Sequence, residues 1–190
     1  TYAITGGNTG SVFAINSTSG VITVAGALDR EATGSYALTV SVSDGALSDT
    51  ATVTINLTDV NDNAPVVNDQ TFSVLESAAS GATVNTVSAS DADSSSVLTY
   101  SITGGNTGSA FAINASTGVI TVNNGLNYEG TSSYALTVSV TDGTSSDTAT
   151  VTVNVTDVNE APVVSDQTFS VLESAASGAT VNTVSASDAD

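Results

Sequence analysis

SYALTVSVTDGTSSDTATVTVNV, Ser133 to Val155, carries two runs of alternating apolar residues around an Asp142-Gly143 turn signal. Tyr134, Leu136, Val138 and Val140 alternate with small or polar residues, and Val151, Val153 and Val155 with Thr and Asn. A period of two puts every second side chain on one face, so each run reads as a half-buried strand. Leu98, Tyr100 and Ile102 give another strand, as do Phe72 and Val74, and the richness in Val, Ile, Thr and Tyr suits a pleated surface. No window has a helical period. Gly104 to Gly108 and Ser116-Thr117-Gly118 supply further turns, and GGNTG at Gly6 to Gly10 is expected to be a hairpin turn. Roughly seven short strands in about a hundred residues make a Greek-key β-sandwich, so the chain is all-β.

Outward from these strands the sequence repeats itself. TYAITGGNTGSVFAINSTSGVITV from Thr1 returns from Thr99 as TYSITGGNTGSAFAINASTGVITV, and SYALTVSVSDG from Ser35 returns from Ser133, a spacing of 98 positions. The stretch from Val66 to Asp93 returns from Val163 to Asp190 with one change and a spacing of 97. The missing residue falls where DVNDNAP, Asp59 to Pro65, has become DVNEAP, Asp157 to Pro162. The expected organisation is therefore the later part of a repeat over residues 1-62, a complete repeat over 63-160 and the opening strands of another over 161-190. The fold expected is a tandem of seven-stranded Greek-key sandwiches joined end to end. Tyr2, Phe13, Tyr36 and Phe72 match Tyr100, Phe111, Tyr134 and Phe169 and read as core, whereas Tyr128 stands alone, opposite Arg30.

Composition narrows the function. Nineteen acidic residues face one basic residue, Arg30, for a formal net charge of -18 over 190 residues, with no Lys and no His. Nucleic acid is excluded as a partner, since phosphates are held by Lys and Arg, and an anionic membrane surface makes the same demand. Only 11% of residues are charged and 40% are hydrophobic, which is the profile of a folded chain, not of an acidic disordered tail. Without cysteine there is no disulfide framework and no thiolate metal site. No stretch is long and apolar enough for a membrane helix, and the sequence, lacking an initiator Met or a signal peptide, reads as an internal excerpt.

The acidic residues gather at the ends of the repeats. LDRE (Leu28 to Glu31), SVSDG (Ser41 to Gly45), DVNDNAP, LES (Leu75 to Ser77) and DAD (Asp91 to Asp93) together resemble the cadherin repeat in order and spacing, over the whole chain. Near-identical tandem copies rich in Ser, Thr, Ala, Val and Gly resemble the cadherin-like arrays of large bacterial surface proteins more than animal cadherins.

The resemblance implies calcium ions, typically three, held between successive sandwiches. At the first linker it implies ligands from Asp29, Glu31, Asp59, Asn61, Asp62, the Asn63 carbonyl, Asp91, Asp93 and Asp142. At the second it implies Glu76, Glu129, Asp157, Asn159, Glu160, Asp188 and Asp190, with Asn127 standing where Asp29 stood. Asp44 and Glu173 would serve preceding and following sites. The family's later DxGxN-like ligand is missing after Asp93, where Ser94, Ser95 and Ser96 stand, and DVNE has one donor fewer than DVNDN.

Electrostatics bears on the ligand set that the resemblance implies. Seven carboxylates converging on one linker repel without cations, and divalent ions turn that repulsion into cross-linking. Calcium accepts about six to eight oxygens in irregular geometry, whereas magnesium wants a strict octahedron and keeps water, so multi-carboxylate, carbonyl-containing sites favour calcium.

Catalysis is set aside. There is no His, Cys or Lys to act as base or nucleophile, and every acidic cluster, including the Asp91 and Asp93 pair, is copied at the repeat spacing. Four N-x-S/T sequons, at Asn16, Asn56, Asn114 and Asn154, arise easily in a Thr-rich chain. The expected function is a calcium-rigidified structural and adhesive repeat of an extracellular stalk or filament, since millimolar calcium occurs outside cells. Its expected partners are neighbouring copies of the same repeat. The alternative is a module binding a receptor or a cell-surface or matrix polysaccharide. Residues 1-62 and 161-190 each lack strands that the other holds, so head-to-tail strand complementation between chains is the alternative to a longer array.

Overall fold

Period-two alternation becomes strand between residues 2 and 156 of the computed structural model, which describes residues 1–190 in two units. The first comprises Thr1–Pro65, Ser90–Leu98 and Asp142–Ser145, and the second Val66–Ala89, Thr99–Thr141 and Ser146–Asp190. The chain opens with β1 (Tyr2–Gly6), β2 (Phe13–Ile15), β3 (Ile22–Val24), β4 (Ser35–Ser43) and β5 (Ser48–Asn56). In the first unit β1, β4 and β5 form an antiparallel sheet in that order, and β2 pairs with β3. Between the ladders Phe13, Tyr36, Leu38 and Val40 are buried, with Ile15, Ile22, Val53 and Ile55 packed against them only in part. Strand β5 is the edge of its sheet, with no strand on its far side.

The chain continues with β6 (Val66–Val67), β7 (Gln70–Leu75), β8 (Thr83–Thr86), β9 (Ala89–Ser90), β10 (Thr99–Gly104), β11 (Phe111–Ile113), β12 (Val119–Val122), β13 (Ser133–Thr141) and β14 (Ser146–Thr156). The second unit has the full sandwich. One sheet runs β10-β13-β14-β7 and the other β11-β12-β8, seven strands in all, with the short β6 and β9 paired beside them. All the pairings in these two sheets are antiparallel except one, since β7 lies parallel to β14 from Val151 opposite Gln70 to Thr156 opposite Leu75. That pairing places Phe72 beside Val153, so the first strand of the unit closes the side of the sheet that the hairpin β13–β14 leaves open.

The core follows from the alternation. Leu136, Val138 and Val140 on β13 and Val151 and Val153 on β14 are fully buried, together with Ile120 on β12. Each such side chain contributes about 1.5–3 kcal/mol by leaving water. Phe111 meets Tyr134 edge to face with ring centroids 5.1 Å apart, and Phe13 meets Tyr36 at the same distance in the first unit, so the repeat conserves its own packing.

Two expectations need correction. The GGNTG segment does not close a hairpin, because β1 pairs with β4 and β10 with β13; it carries the chain from one sheet to the other through the 3-10 turns Thr9–Ser11 and Thr107–Ser109. Asn106 fixes the crossing by donating from Nδ2 to the Phe111 carbonyl at 2.8 Å and accepting from its N–H at 3.0 Å, as Asn8 does with Phe13. Gly105 has φ +73, and a Cβ there would overlap the Ala135 carbonyl oxygen, so no other residue fits. Phe169 is not core either: residues 161-190 form no strand, making only the bridge Val163 to Ser187, and Phe169 is 37% exposed where Phe72 is 9%.

Replacing Leu136 by Ala is expected to lower stability by about 2–5 kcal/mol, since it opens a cavity at a fully buried site. Equilibrium urea unfolding checks this, and an unchanged midpoint would contradict the packing described.

Candidate metal centre

Acidic side chains are drawn together by ordinary loop chemistry. Asp142 follows β13 and turns the chain into β14, with its Oδ1 accepting from the N–H groups of Thr144 and Ser145, both at 2.6 Å. Asp44 does the same at the earlier copy with Ala46 and Leu47, each at 2.9 Å. These backbone bonds hold both carboxyls below the usual carboxylate range. Asp29 accepts from Ala32 and Asn127 from Gly130, so the substitution of one for the other preserves the turn while removing a charge.

The first cluster is built around the Asp59–Pro65 linker within the first unit. Asp93 is only 4% exposed and grips Asn63 twice, accepting from its N–H at 2.9 Å and from its Nδ2 at 2.8 Å. Asp91 accepts from the Asp93 N–H, which orients the DAD turn. Asp59 accepts from Ser94 Oγ at 2.7 Å and Ser95 N–H at 2.9 Å. One oxygen each of Glu31, Asp59 and Asp93 lie within 4.8 Å of one another. The Ser94 hydroxyl, aided by Ser95 and against partial desolvation, brings Asp59 down to about 2. Glu31 goes the other way: its own backbone N–H favours the carboxylate, but desolvation and the neighbouring Asp59 and Asp93 charges together push it up.

The Asn61 carboxamide faces both Asp142 Oδ2 and Asp93 Oδ2 at 3.0 Å. With its nitrogen turned to them it donates to two buried carboxylates; with its oxygen turned to them three acceptors converge on one point. Asp59 Oδ1 and Asp91 Oδ2 are buried without a hydrogen-bond partner, and the nearest cation to Asp59 is the Arg30 guanidinium at 3.8 Å. Orphaned buried carboxylate oxygens in an all-oxygen donor set are what a hard divalent cation satisfies.

The second cluster lies within the second unit. Glu76, at the end of β7 and 8% exposed, accepts from Tyr128 N–H with one oxygen and Val158 N–H with the other, each at 2.7 Å. It lies within 4.8 Å of Glu129 and Glu160, and Glu129 also groups with Asp157 and Asp190. Asp190 accepts from the Glu160 N–H at 2.9 Å, and Glu160 Oε2 is buried without a partner. Desolvation, then the charges of Glu76, Asp190 and Glu129, raise Glu160.

Of the residues singled out from the sequence, Glu31, Asp59, Asn61, Asn63, Asp91, Asp93 and Asp142 assemble at the first linker, and Glu76, Glu129, Asp157, Glu160 and Asp190 at the second. Asp29, Asn127, Asp44 and Asp62 lie outside the tight groups, engaged in local turns, with Asp62 accepting from Asn63 Nδ2. Asn159 donates to the Glu160 carbonyl, while Asp188 and Glu173 are exposed. Sequence reasoning missed the serines. Ser94, Ser95 and Ser96 are no gap in the site, since the first two hold Asp59 and Ser96 Oγ bonds Asn61 at 3.2 Å. It also missed Asp147 and Asp69, which accept from Val67 and Thr150 N–H groups and tie the opening segment of the unit to β14.

The family model described as Cadherin domain matches residues 1–58 and 70–156. The chain belongs to the cadherin family. Human Protocadherin Fat 1 is 42% identical over 183 residues, covering 90% of this cadherin chain and 4% of that protein. Mouse Cadherin EGF LAG seven-pass G-type receptor 1 is 42% identical over 188 residues, covering 94% of this chain and 6% of that protein. A protocadherin gammaB7 EC3-6 cis-dimer superposes with a TM-score of 0.75 at 30% identity, covering 100% of this chain and 51% of that one. The chain thus spans a small part of its curated relatives. Those relatives are animal proteins, so the expected bacterial source finds no support in them. The cadherin family is one of extracellular cell-adhesion domains, not of enzymes.

Titration of the metal-free chain, followed by carboxyl 13C shifts, is expected to place Glu31 and Glu160 above their ordinary 4.5 and Asp59 near 2. As pH falls through the raised values the folded chain binds protons first, so stability rises. As pH falls from 3.8 towards about 2 the unfolded chain protonates first at Asp59, and that stability is lost. Glu31 titrating below Asp59 would contradict the arrangement.

Proposed function

We propose that this cadherin chain is a calcium-rigidified structural and adhesive repeat of an extracellular stalk or filament. The observation that carries the reading is a buried carboxylate oxygen without a hydrogen-bond donor at each of Asp59 and Asp91, beside an Asn61 oxygen able to face Asp93 and Asp142. Calcium supplies the positive charge and takes oxygen ligands without demanding strict geometry. Glu31, Asp59, Asn61, Asp91, Asp93 and Asp142 would hold it at the first linker, with Asp29, Asp62 and the Asn63 carbonyl adding donors. Glu76, Glu129, Asp157, Glu160 and Asp190 would hold it at the second, with Asn127, Asn159 and Asp188 contributing further oxygens. Asp44 and Glu173 are assigned to sites of adjoining repeats.

On this reading residues 1-62 are the later part of one repeat, 63-160 a complete repeat and 161-190 the opening of the next. The mechanism is electrostatic. Without cations the linker is tied to the DAD turn through the Asn63 amide while its carboxylates oppose one another; with them the same carboxylates become ligands of a common centre and the linker stiffens. Near-identity of adjacent copies suits a spacer, since each added copy extends reach without needing a different ligand site. Association between copies of this fold has a precedent in the related cis-dimer, and the repeats of this chain join end to end, in a longer array or else head to tail by strand complementation between chains.

Small-angle scattering in millimolar calcium, compared with chelator, is expected to show a narrower distance distribution, and the Asp59→Asn, Asp93→Asn double variant is expected to abolish the difference. Identical wild-type profiles in calcium and chelator would overturn the calcium reading.

A further inference from the structure

After β12 the chain reads Asn123-Asn124-Gly125, where the earlier copy has Ala25-Gly26-Ala27. The two asparagines fasten this loop to the turn that carries the chain from one sheet to the other. Asn123 donates its N–H to the Ala110 carbonyl at 2.7 Å and its Nδ2 to the Ser109 carbonyl at 2.9 Å, while its own carbonyl accepts from Ser80 Oγ. Asn124 donates from Nδ2 to the carbonyls of Gly108 and Ser109, each at 3.0 Å. The turn so held is strained, since Ser109 has φ +52 directly after Gly108 at +64. The earlier copy fastens the same loop through backbone bonds, from Ala25 and Gly26 to the Val12 carbonyl.

The Asn124 carboxamide is also an electrophile with a nucleophile next to it in the chain. Of all the asparagines, it alone is followed by glycine. Gly125 is exposed, its N–H makes no hydrogen bond, and nothing lies within 4 Å of where a Cβ would stand. Without a Cβ the Gly125 nitrogen is not screened as it approaches the Asn124 carboxamide, and the freedom of glycine in φ and ψ lets the backbone turn towards it. Asn124 is itself exposed and sits in a loop outside the strand ladders, so water has access to it.

We propose that Asn124 is a site of spontaneous covalent modification, converted to aspartate and isoaspartate through a cyclic imide with Gly125, and that the conversion unfastens the sheet-to-sheet turn. The Gly125 nitrogen, giving its proton to solvent, attacks Asn124 Cγ; the new N–Cγ bond forms, the Cγ–Nδ2 bond breaks, and Nδ2 leaves as ammonia. Water then reopens the ring, at the side-chain carbonyl to give aspartate or at the backbone carbonyl to give isoaspartate. No oxidant, metal or second protein is required. A carboxylate at position 124 cannot donate to the Gly108 and Ser109 carbonyls and is repelled by them, so of the side-chain bonds to this turn only that of Asn123 survives. Isoaspartate also adds a methylene to the backbone between Asn123 and the Asn127–Gly130 turn. The earlier copy, with Gly26 at this position, cannot react in this way, so the two repeats age differently.

The test is peptide mapping by mass spectrometry of the folded chain, held in mildly alkaline buffer at body temperature beside a sample unfolded in urea. The mass gain of an amide becoming an acid is expected in the peptide containing Asn123-Asn124-Gly125, resolved into two products. Gly125→Ala, which reproduces Ala27 of the earlier copy and meets nothing at its Cβ, is expected to slow the conversion about tenfold or more. Asn124→Asp supplies one product directly and is expected to speed amide exchange at Ser109 and Ala110 about tenfold, for the loss of two hydrogen bonds to the turn. A folded chain unchanged at this peptide when the unfolded sample has converted, or a Gly125→Ala variant that converts as fast as wild type, overturns the inference. So does an Asn124→Asp variant whose turn amides exchange at the wild-type rate.

Discussion

Carboxylates held within 4.8 Å of one another at the ends of nearly uncharged sandwiches are the constraint on which the rest of this cadherin chain depends. Strands built from Val, Thr, Ser and Ala need no charge to fold, and almost none is spent on them. The acidic residues are instead fixed by turns, where Asp side chains accept backbone N–H groups and lose the freedom to move apart. Asp142 shows the logic: one oxygen closes the β13–β14 hairpin, which leaves the other aimed at Asn61. The turn makes the site, and the site inherits the turn's rigidity.

The two clusters solve the same problem with different residues. At the first, Ser94 and Ser95 donate to Asp59 and Arg30 lies nearby, so part of the charge is compensated by the protein itself. At the second, Glu76 is compensated by two backbone N–H groups, while Glu160 is left among Glu76, Glu129 and Asp190. The raised Glu160 and the depressed Asp59 are opposite outcomes of one crowding, and they differ because hydroxyl and amide donors reach one carboxylate and not the other.

Much of this was legible in the sequence, for physical reasons that can be named. Alternation at Tyr134 to Val140 and Val151 to Val155 gave the strands, because a half-buried sheet leaves that period. Repetition of Asp59, Asn61 and Asp93 at Asp157, Asn159 and Asp190 marked the linkers, because charge confined to repeat ends contrasts with neutral strands. The parallel pairing of β7 with β14 was not legible, since period two says which face is buried and not which strand lies beside it. GGNTG misled for a related reason: glycines announce a change of direction, and only the pairing of β10 with β13 says that the change is from sheet to sheet. The serines after Asp93 were invisible as supports because a Ser run carries no spacing of its own.

Discrete cation sites at the linkers, as proposed, differ from a merely acidic surface in how their amides answer calcium. Calcium titration of the 15N-labelled chain, followed by amide NMR, separates the two. Discrete sites give saturable shifts concentrated at residues 59–63, 91–96 and 142–145 and at 127–130 and 157–160, with the strand amides unmoved. Shifts spread evenly over every exposed acidic residue, growing without saturation, would contradict them.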